Sequence, residues 1–294
     1  MGLNFILTSL SQGLTYAGMA LGVYITFKIL DFPDLTVDGS LPLGAAISAT
    51  MISAGYNPFL SLIAALLCGA AAGAVTGILN TRLKIAPLLA GILTMTGLYS
   101  INLRIMGRPN IPLLQQDTIF SYFRHLGLQR PWNYILVLLI IVVIIKVLLD
   151  IFLKTQLGFA LRATGDNPQM IRSMGINTRA MKMIGLILAN GLVALSGAIV
   201  AQYQAFADVS MGIGTIIAGL ASVIIGEVII GESSIFYATL AVITGSIIYR
   251  FSISLALSLD YFTAADLKLL TAFIVIIFLS TPNVKKYIKV GYNA

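Results

Sequence analysis

Asn167, Pro168 and Gly175 bracket the stretch of this chain whose residue types and spacing carry the most specific chemistry, and that chemistry is docking rather than bond making. In GFALRATGDNPQMIRSMGINTRAMK, residues 158–182, Asp166 and Asn167 are N-cap types and Pro168 suits a first helical position. Gly175 is the residue type expected just past a helix end. The spacing predicts a helix of about two turns from Pro168 to Met174. Met170, Ile171 and Met174 fall on one face of it, while Arg172 and Ser173 point elsewhere. An apolar face on a basic, capped helix between two long apolar segments calls for a groove to fill, so the stretch reads as a cytoplasmic docking element.

Other chemistries find no residues to support them. The single histidine, His125, has no second His or Cys nearby, so no metal site is expected. The single cysteine, Cys68, sits in an apolar run and rules out a disulfide framework. No GxxxxGK[ST] motif occurs, and neither a paired His set nor an activated Ser or Asp motif argues for an intramembrane enzyme. Thr36, Asp38 and Ser40 follow a short broken segment and are the first candidates to line a path. Unwound backbone at membrane depth is tolerated where it faces a cavity. Gln202, Tyr203, Gln204 and Phe206 close an apolar segment and read either as an outer gate or as part of an interfacial aromatic belt. Thr94, Thr96 and Asn102 share another segment, where interhelical hydrogen bonding is the plainest use. Lys146 with Asp150, Glu227 with Glu232, and Lys28 with Asp31 lie near segment ends and read as interfacial. So few ionisable groups argue against an ion-coupled secondary carrier or channel, whose relays are buried carboxylates or histidines.

The elements that position these residues are set by composition. Hydrophobic residues make up 58% of the 294 and charged ones 10%, against about 25% charged in soluble domains, and mean hydropathy is +0.96. Runs near the roughly 20 residues needed to cross a bilayer, without strand-like alternation, predict an all-α polytopic transmembrane helical bundle. Spans are expected at 4–29, 41–55, 58–80, 86–106, 132–153, 180–203, 212–230, 235–257 and 266–281. That makes about 8–10 crossings within one domain over 1–294. The first span has the alternative of a short interfacial helix, Leu3 to Leu10, before a spanning helix from Gly13. The second is too short to cross unaided, which predicts a broken or re-entrant element after the polar stretch Asp31 to Ser40. No basic n-region precedes the first apolar run, so a cleaved signal peptide is not expected.

Arg82 and Lys84, then Lys154, Arg162, Arg172, Arg179 and Lys182, then Lys285, Lys286 and Lys289 fall on one side of that scheme. The positive-inside rule makes that side, and the C-terminus with it, cytoplasmic. Arg108, Arg124 and Arg130 fall outside, in a connection over 107–131 expected to be an ordered surface loop with Pro109, Pro112 and Pro131. The net charge of +7 is thereby a topology signal, and no nucleic-acid module is expected. Gly69, Ala70, Gly73, Ala74 and Gly77 form a small-residue ladder that serves close helix approach, either within one subunit or between two.

The stretch GFALRATGDNPQMIRSMGIN closely resembles the cytoplasmic coupling segment of ABC-importer permeases of the branched-chain amino acid and ribose permease superfamily. Gly158, Arg162 with Ala163, Gly165, Asn167 and Gly175 to Asn177 carry the likeness. GLTYAGMALGVYITFKILDFPDLTVDGS looks like that superfamily's first spanning helix and polar in-membrane segment, and DFPDLTVDGS resembles the subgroup linked to aromatic amino acid uptake. The resemblance implies a homodimeric permease in a bacterial cytoplasmic membrane, embedded in membrane lipid. Two ATPase subunits would bind ATP and Mg, with no cofactor in this chain, and an extracytoplasmic binding lipoprotein would deliver substrate. Met170, Ile171 and Met174 would then enter an ATPase groove, and Arg162 and Arg172 would pair with acidic groups at its rim. ATP-driven closure would draw two such helices together and tilt the bundles. An amino acid, aromatic by resemblance, is the expected cargo, with branched-chain amino acids, nucleosides or sugars behind it.

Overall fold

The computed structural model describes residues 3–124 and 132–258, together with 266, 269, 271–273, 275 and 276. His125, Arg130, Pro131, Lys285, Lys286, Lys289 and most of the ninth expected span lie outside the described residues.

The first helix, α1, runs Leu3–Val23 and widens into a π-helical turn over Tyr24–Ile29. Its polar side chains do not interrupt it, because Thr8, Ser9, Ser11 and Thr15 each donate their hydroxyl to a carbonyl one turn back. The chain leaves the helix at Leu30, passes Asp31 with φ of 50°, and re-enters helix only at α2, Val37–Ser53. The helix is therefore broken over 30–36, in the polar stretch rather than after it, and α2 begins four residues earlier than the span predicted from sequence. Pro42 sits early in α2 and has no N–H to offer the Asp38 carbonyl. That carbonyl faces Gly212 instead, where an added Cβ would lie 2.0 Å away.

Helices α3, Pro58–Thr81, and α4, Pro87–Met106, follow, each with proline in its first turn. The connection expected to be a surface loop carries a strand, β1, Asn110–Pro112, and a helix, α5, Ile119–Arg124. Two long helices follow, α6, Trp132–Lys154, and α9, Thr178–Gln204, the latter the longest described, separated by α7, Gln156–Asp166, and α8, Pro168–Ser173. A second strand, β2, Phe206–Asp208, pairs antiparallel with β1, Asn110 facing Asp208. Helices α10, Thr215–Ile230, and α11, Ile235–Leu257, complete the described chain.

Helix α9 is the axis of the bundle. Backbones approach it through glycine: a Cβ at Gly44 of α2 would lie 1.7 Å from the Ala194 carbonyl oxygen, and one at Gly73 of α3 would lie 2.1 Å from that of Leu186. Gly69 meets the Asn190 carbonyl in the same way and Gly77 meets the Met183 thioether, so these ladder glycines serve packing within the chain. Five described helices, α3, α4, α6, α9 and α11, are long and apolar enough to cross a membrane. Helix α1 is long but more polar, while α2 and α10, at 17 and 16 residues, fall short of a full crossing. Leucine and isoleucine side chains cover the outer faces of α3, α4 and α6, as a lipid-facing surface requires.

Candidate functional site

Two polar constructions stand out in this apolar bundle, one at an end and one at mid-depth. The end construction begins where α6 stops. Thr155 caps α7, its Oγ1 accepting from the Gly158 N–H at 3.2 Å. A Cβ at Gly158 would lie 2.3 Å from the Phe152 carbonyl oxygen, so the chain turns off α6 only with glycine there. At the other end of α7, a Cβ at Gly165 would lie 1.9 Å from the Ile29 carbonyl oxygen. Helix α7 is thereby seated directly under the π-turn of α1. It went unassigned in the sequence reading, although Thr155 as a cap was its signal.

Asn167 then caps α8 as expected, Oδ1 accepting from the Met170 N–H at 3.0 Å, with Pro168 in the first turn. Helix α8 ends at Ser173, one residue sooner than predicted, and Gly175 takes the left-handed conformation, φ of 82°. Asp166 closes α7 rather than capping α8. Met170 and Met174 are 57% and 63% exposed, but Ile171 is only 2% exposed. The three-residue outward face expected from spacing is corrected to two, because α8 packs on α7 and α9 and turns Ile171 inward. Arg172 donates from Nε to Thr178 Oγ1 at 3.1 Å, and Arg162 lies half-buried with its guanidinium 5.7 Å from the Phe159 ring centre.

An ionic clasp lies at this same end of the bundle. Lys28 of the π-turn bonds both Glu227 at the end of α10 and Glu232 in the following turn, the latter at 2.9 Å. Higher in α6, the buried Lys146 and Asp150 pair one turn apart, and Thr239 of α11 donates to Asp150 at 2.6 Å. Lys146 also sits 3.7 Å over the Phe236 ring. These residues were read as interfacial. Their partners from other helices were not visible in the sequence.

At mid-depth, Asp34 in the break before α2 accepts from Thr36 N at 2.9 Å and from Asn190 Nδ2 at 2.7 Å. Asn190 Oδ1 accepts from Ser40 at 2.7 Å, and Thr36, Thr76 and Thr94 share hydroxyl bonds of 2.7 and 2.9 Å. Asp34, Thr36, Ser40 and Asn190 are fully buried. Thr36 and Ser40, predicted to line a path, therefore hold α2 to α3, α4 and α9. Thr94 and Asn102 bond between helices as expected, Asn102 Nδ2 donating to the Gly39 carbonyl at 3.2 Å, whereas Thr96 bonds within its own helix. Asp34 and Asn190 were not singled out from sequence.

Asp38, also predicted to line a path, borders a cavity. Its carboxylate accepts from Gly214 N, Ile216 N and Thr215 Oγ1 at 2.8–3.1 Å and so caps α10 across the bundle. The cavity, about 330 Å³, is shared with Pro42, Thr96, Tyr99, Ser100 and Asn102. Gln202 is 2% exposed and works as a staple, accepting from Ile119 N and donating to Ser48 and Ser61. Tyr203 stands 5.5 Å from Tyr134 and 6.1 Å from Phe120 in an aromatic cluster, and Phe206 lies in β2 at 39% exposure.

The described chain is a multi-pass helical bundle with two short apolar helices and a capped arm at one end. It is similar to a metal-chelate type ABC transporter solved in an inward-facing conformation, with a TM-score of 0.51 and 16% identity over 96% of this chain and 85% of that one. The family model for the branched-chain amino acid transport system permease component matches residues 5–280, and the chain belongs to that family. A tyrosine transport system permease of Clostridioides difficile is 49% identical over 97% of this chain and 93% of its own length. The ribose import permease of Escherichia coli K12 is 27% identical over 76% of this chain and 69% of its own. The chain is thus a transmembrane permease of the ABC importer class.

Proposed function

We propose that the chain imports an aromatic amino acid, with tyrosine foremost, in a homodimer served by two ATPase subunits and an extracytoplasmic binding lipoprotein. The observation that carries the coupling half is α8, a capped helix that leaves Met170 and Met174 exposed at one end of the bundle. A partner groove that takes both thioethers is the fitting complement, with the ATPase binding the ATP and Mg. The arm is seated on α1 through Gly165 and on α6 through Gly158, so a push on α8 reaches two helices of the bundle at once. That end carries Lys84, Arg162, Arg172, Arg179 and Lys182, a concentration of positive charge that supports, under the positive-inside rule, a cytoplasmic position in a bacterial inner membrane. The substrate half rests on the 49% relative, supported by a cavity that mixes hydroxyls and Asp38 with apolar walls.

The test is uptake in proteoliposomes holding the chain and its ATPase, with ATP enclosed and the binding protein outside. Tyrosine, tryptophan and phenylalanine should accumulate and compete with one another. Uptake of leucine or ribose in preference to all three would move the substrate to the wider family, and uptake without ATP that stops on collapse of an ion gradient would replace the importer reading.

A further inference from the structure

Beside the coupling arm lies a concave site in which the importer reading gives a docking task to Arg172 alone. Four cations, Lys84 from the α3–α4 turn, Arg172 from α8, and Arg179 and Lys182 from the start of α9, border a cavity of about 300 Å³ together with Asn80 and Thr81. None of the described residues lining it is acidic, and none of the four cations forms an ion pair among the described residues. Cations gathered with no counter-charge repel one another, and an arrangement of this kind is stable where an anion completes it.

The cavity wall is constructed rather than incidental. Lys84 holds the left-handed conformation, φ of 58°, which a residue with a side chain rarely takes. Its turn is fastened by Asn80 Nδ2 donating to the Ile85 carbonyl at 2.8 Å and by Ile85 N bonding the Leu79 carbonyl at 3.1 Å. Arg172 is turned toward the cavity side by its bond to Thr178. The left-handed turn thus directs a lysine to the seam between α3 and α9 and keeps it there.

We propose that this cavity binds the phosphate of an anionic phospholipid headgroup. Position favours the lipid over a partner protein: Thr178 opens a helix apolar enough to span, Lys182 lies a full turn inside it, and basic residues at the end of a spanning helix attract anionic headgroups. The flanking surface is lipid-like, with Leu83, Leu88 and Leu89 exposed on either side of Lys84. A phosphodiester accepts from lysine ammonium and arginine guanidinium groups alike, and its acyl chains would follow the apolar outer faces of α3 and α4. Bound there, the lipid joins α8 to α3 and α9 and braces the coupling arm.

The experiment is native mass spectrometry of the purified full chain, titrated with phosphatidylglycerol and with phosphatidylcholine of the same acyl composition. Phosphatidylglycerol should stay bound at collision energies that strip phosphatidylcholine. Lys84→Ala with Lys182→Ala should lower its occupancy roughly tenfold or more, and the paired arginine substitutions should restore it. Size-exclusion behaviour of each variant must match the wild type, and Arg179→Gln is the second variant if the pair misfolds. Equal retention of the two lipids overturns the proposal, as does displacement of phosphatidylglycerol by millimolar inorganic phosphate with no lipid discrimination. Unchanged lipid occupancy in the alanine pair with weakened ATPase copurification also overturns it and assigns the cations to the partner. Uptake specificity is not read in this experiment, so its failure leaves the importer reading standing.

Discussion

In the coupling arm the polar anchors bond along the chain: Thr155 to Gly158, Asn167 to Met170 and Arg172 to Thr178 span three to six residues. In the mid-depth seam Asn190 reaches back to Asp34 and Ser40 over 156 and 150 residues. Local bonds let the arm hold its shape while it is displaced as a unit, since they do not depend on the bundle's arrangement. Long-range bonds make the seam hold only when α2, α3, α4 and α9 are all in place, and in an apolar medium each unmade bond is costly. One region is therefore suited to receive a partner's motion, and the other to keep the helices together while that motion passes. Substitutions that break the seam should read out as stability, and substitutions in the arm as association.

The largest effect is expected from Asn190→Leu, which leaves the buried Asp34 carboxyl and the Ser40 hydroxyl without their partner. It should lower stability by about 3 to 5 kcal/mol, measured by denaturant or thermal unfolding in detergent. Ser40→Ala removes one hydroxyl and should cost about 1 kcal/mol. Equal costs for the two would show that the seam is a set of independent bonds rather than a network centred on Asn190.

Within the arm, Ile171 and Met174 separate packing from docking. Ile171→Ala opens a space beneath α8 and should lower stability by about 2 kcal/mol. Met174→Asp alters an exposed side chain, so unfolding should shift by no more than about 0.5 kcal/mol while ATPase association falls roughly tenfold or more. Copurification of Met174→Asp with an ATPase at wild-type stoichiometry would remove that face from the contact. Asn167→Ala, which removes the Oδ1 acceptor of the Met170 N–H, should cost about 1 kcal/mol and loosen α8 to amide exchange, leaving the seam protected.

The arm was far more legible in the sequence than the seam, for the same reason that separates them physically. Caps, an N-terminal proline and a left-handed glycine act over a few residues, so Asn167, Pro168 and Gly175 located α8 to within one residue. The orientation of Ile171 escaped, because a helix of six residues buries whichever face its neighbours offer. Span positions followed from hydropathy, and the break, at 30–36, followed from polar residues. The bonds made there did not: Thr36 at the start of α2, Ser40 within it and Gln202 near the end of α9, all read as path candidates, each bond a helix distant in sequence. Asp38 borders a cavity, and its bonds to the start of α10 depend on a juxtaposition that neither segment encodes alone. The strand pairing of β1 with β2 was hidden likewise, being three residues long and nearly a hundred residues apart.

That ribbon supplies the smallest expected effect and a third kind of polar contact, neither buried nor confined to one segment. Desolvation is the largest single influence on the Asp208 carboxyl and raises its pKa. Hydrogen bonds from the Ser210 side chain and backbone, and from Asn110 Nδ2 at 3.2 Å, outweigh that penalty and hold the carboxyl below the ordinary aspartate range. A group whose folded pKa is depressed stabilises the fold above its unfolded value, and that contribution is lost as pH falls through the folded one. The ribbon should thus be indifferent to pH from neutral down to about 4 and loosen only below it. Because Asp208 is largely solvated, the loss should be a small fraction of the Asn190→Leu effect. Amide exchange at Ile111 and Ala207, compared at pH 5 and pH 3 in the wild type and in Asp208→Asn, measures it. Asp208→Asn should flatten the difference, and a pH 3 opening that persists in the variant would place the acid-sensitive bond elsewhere in the bundle.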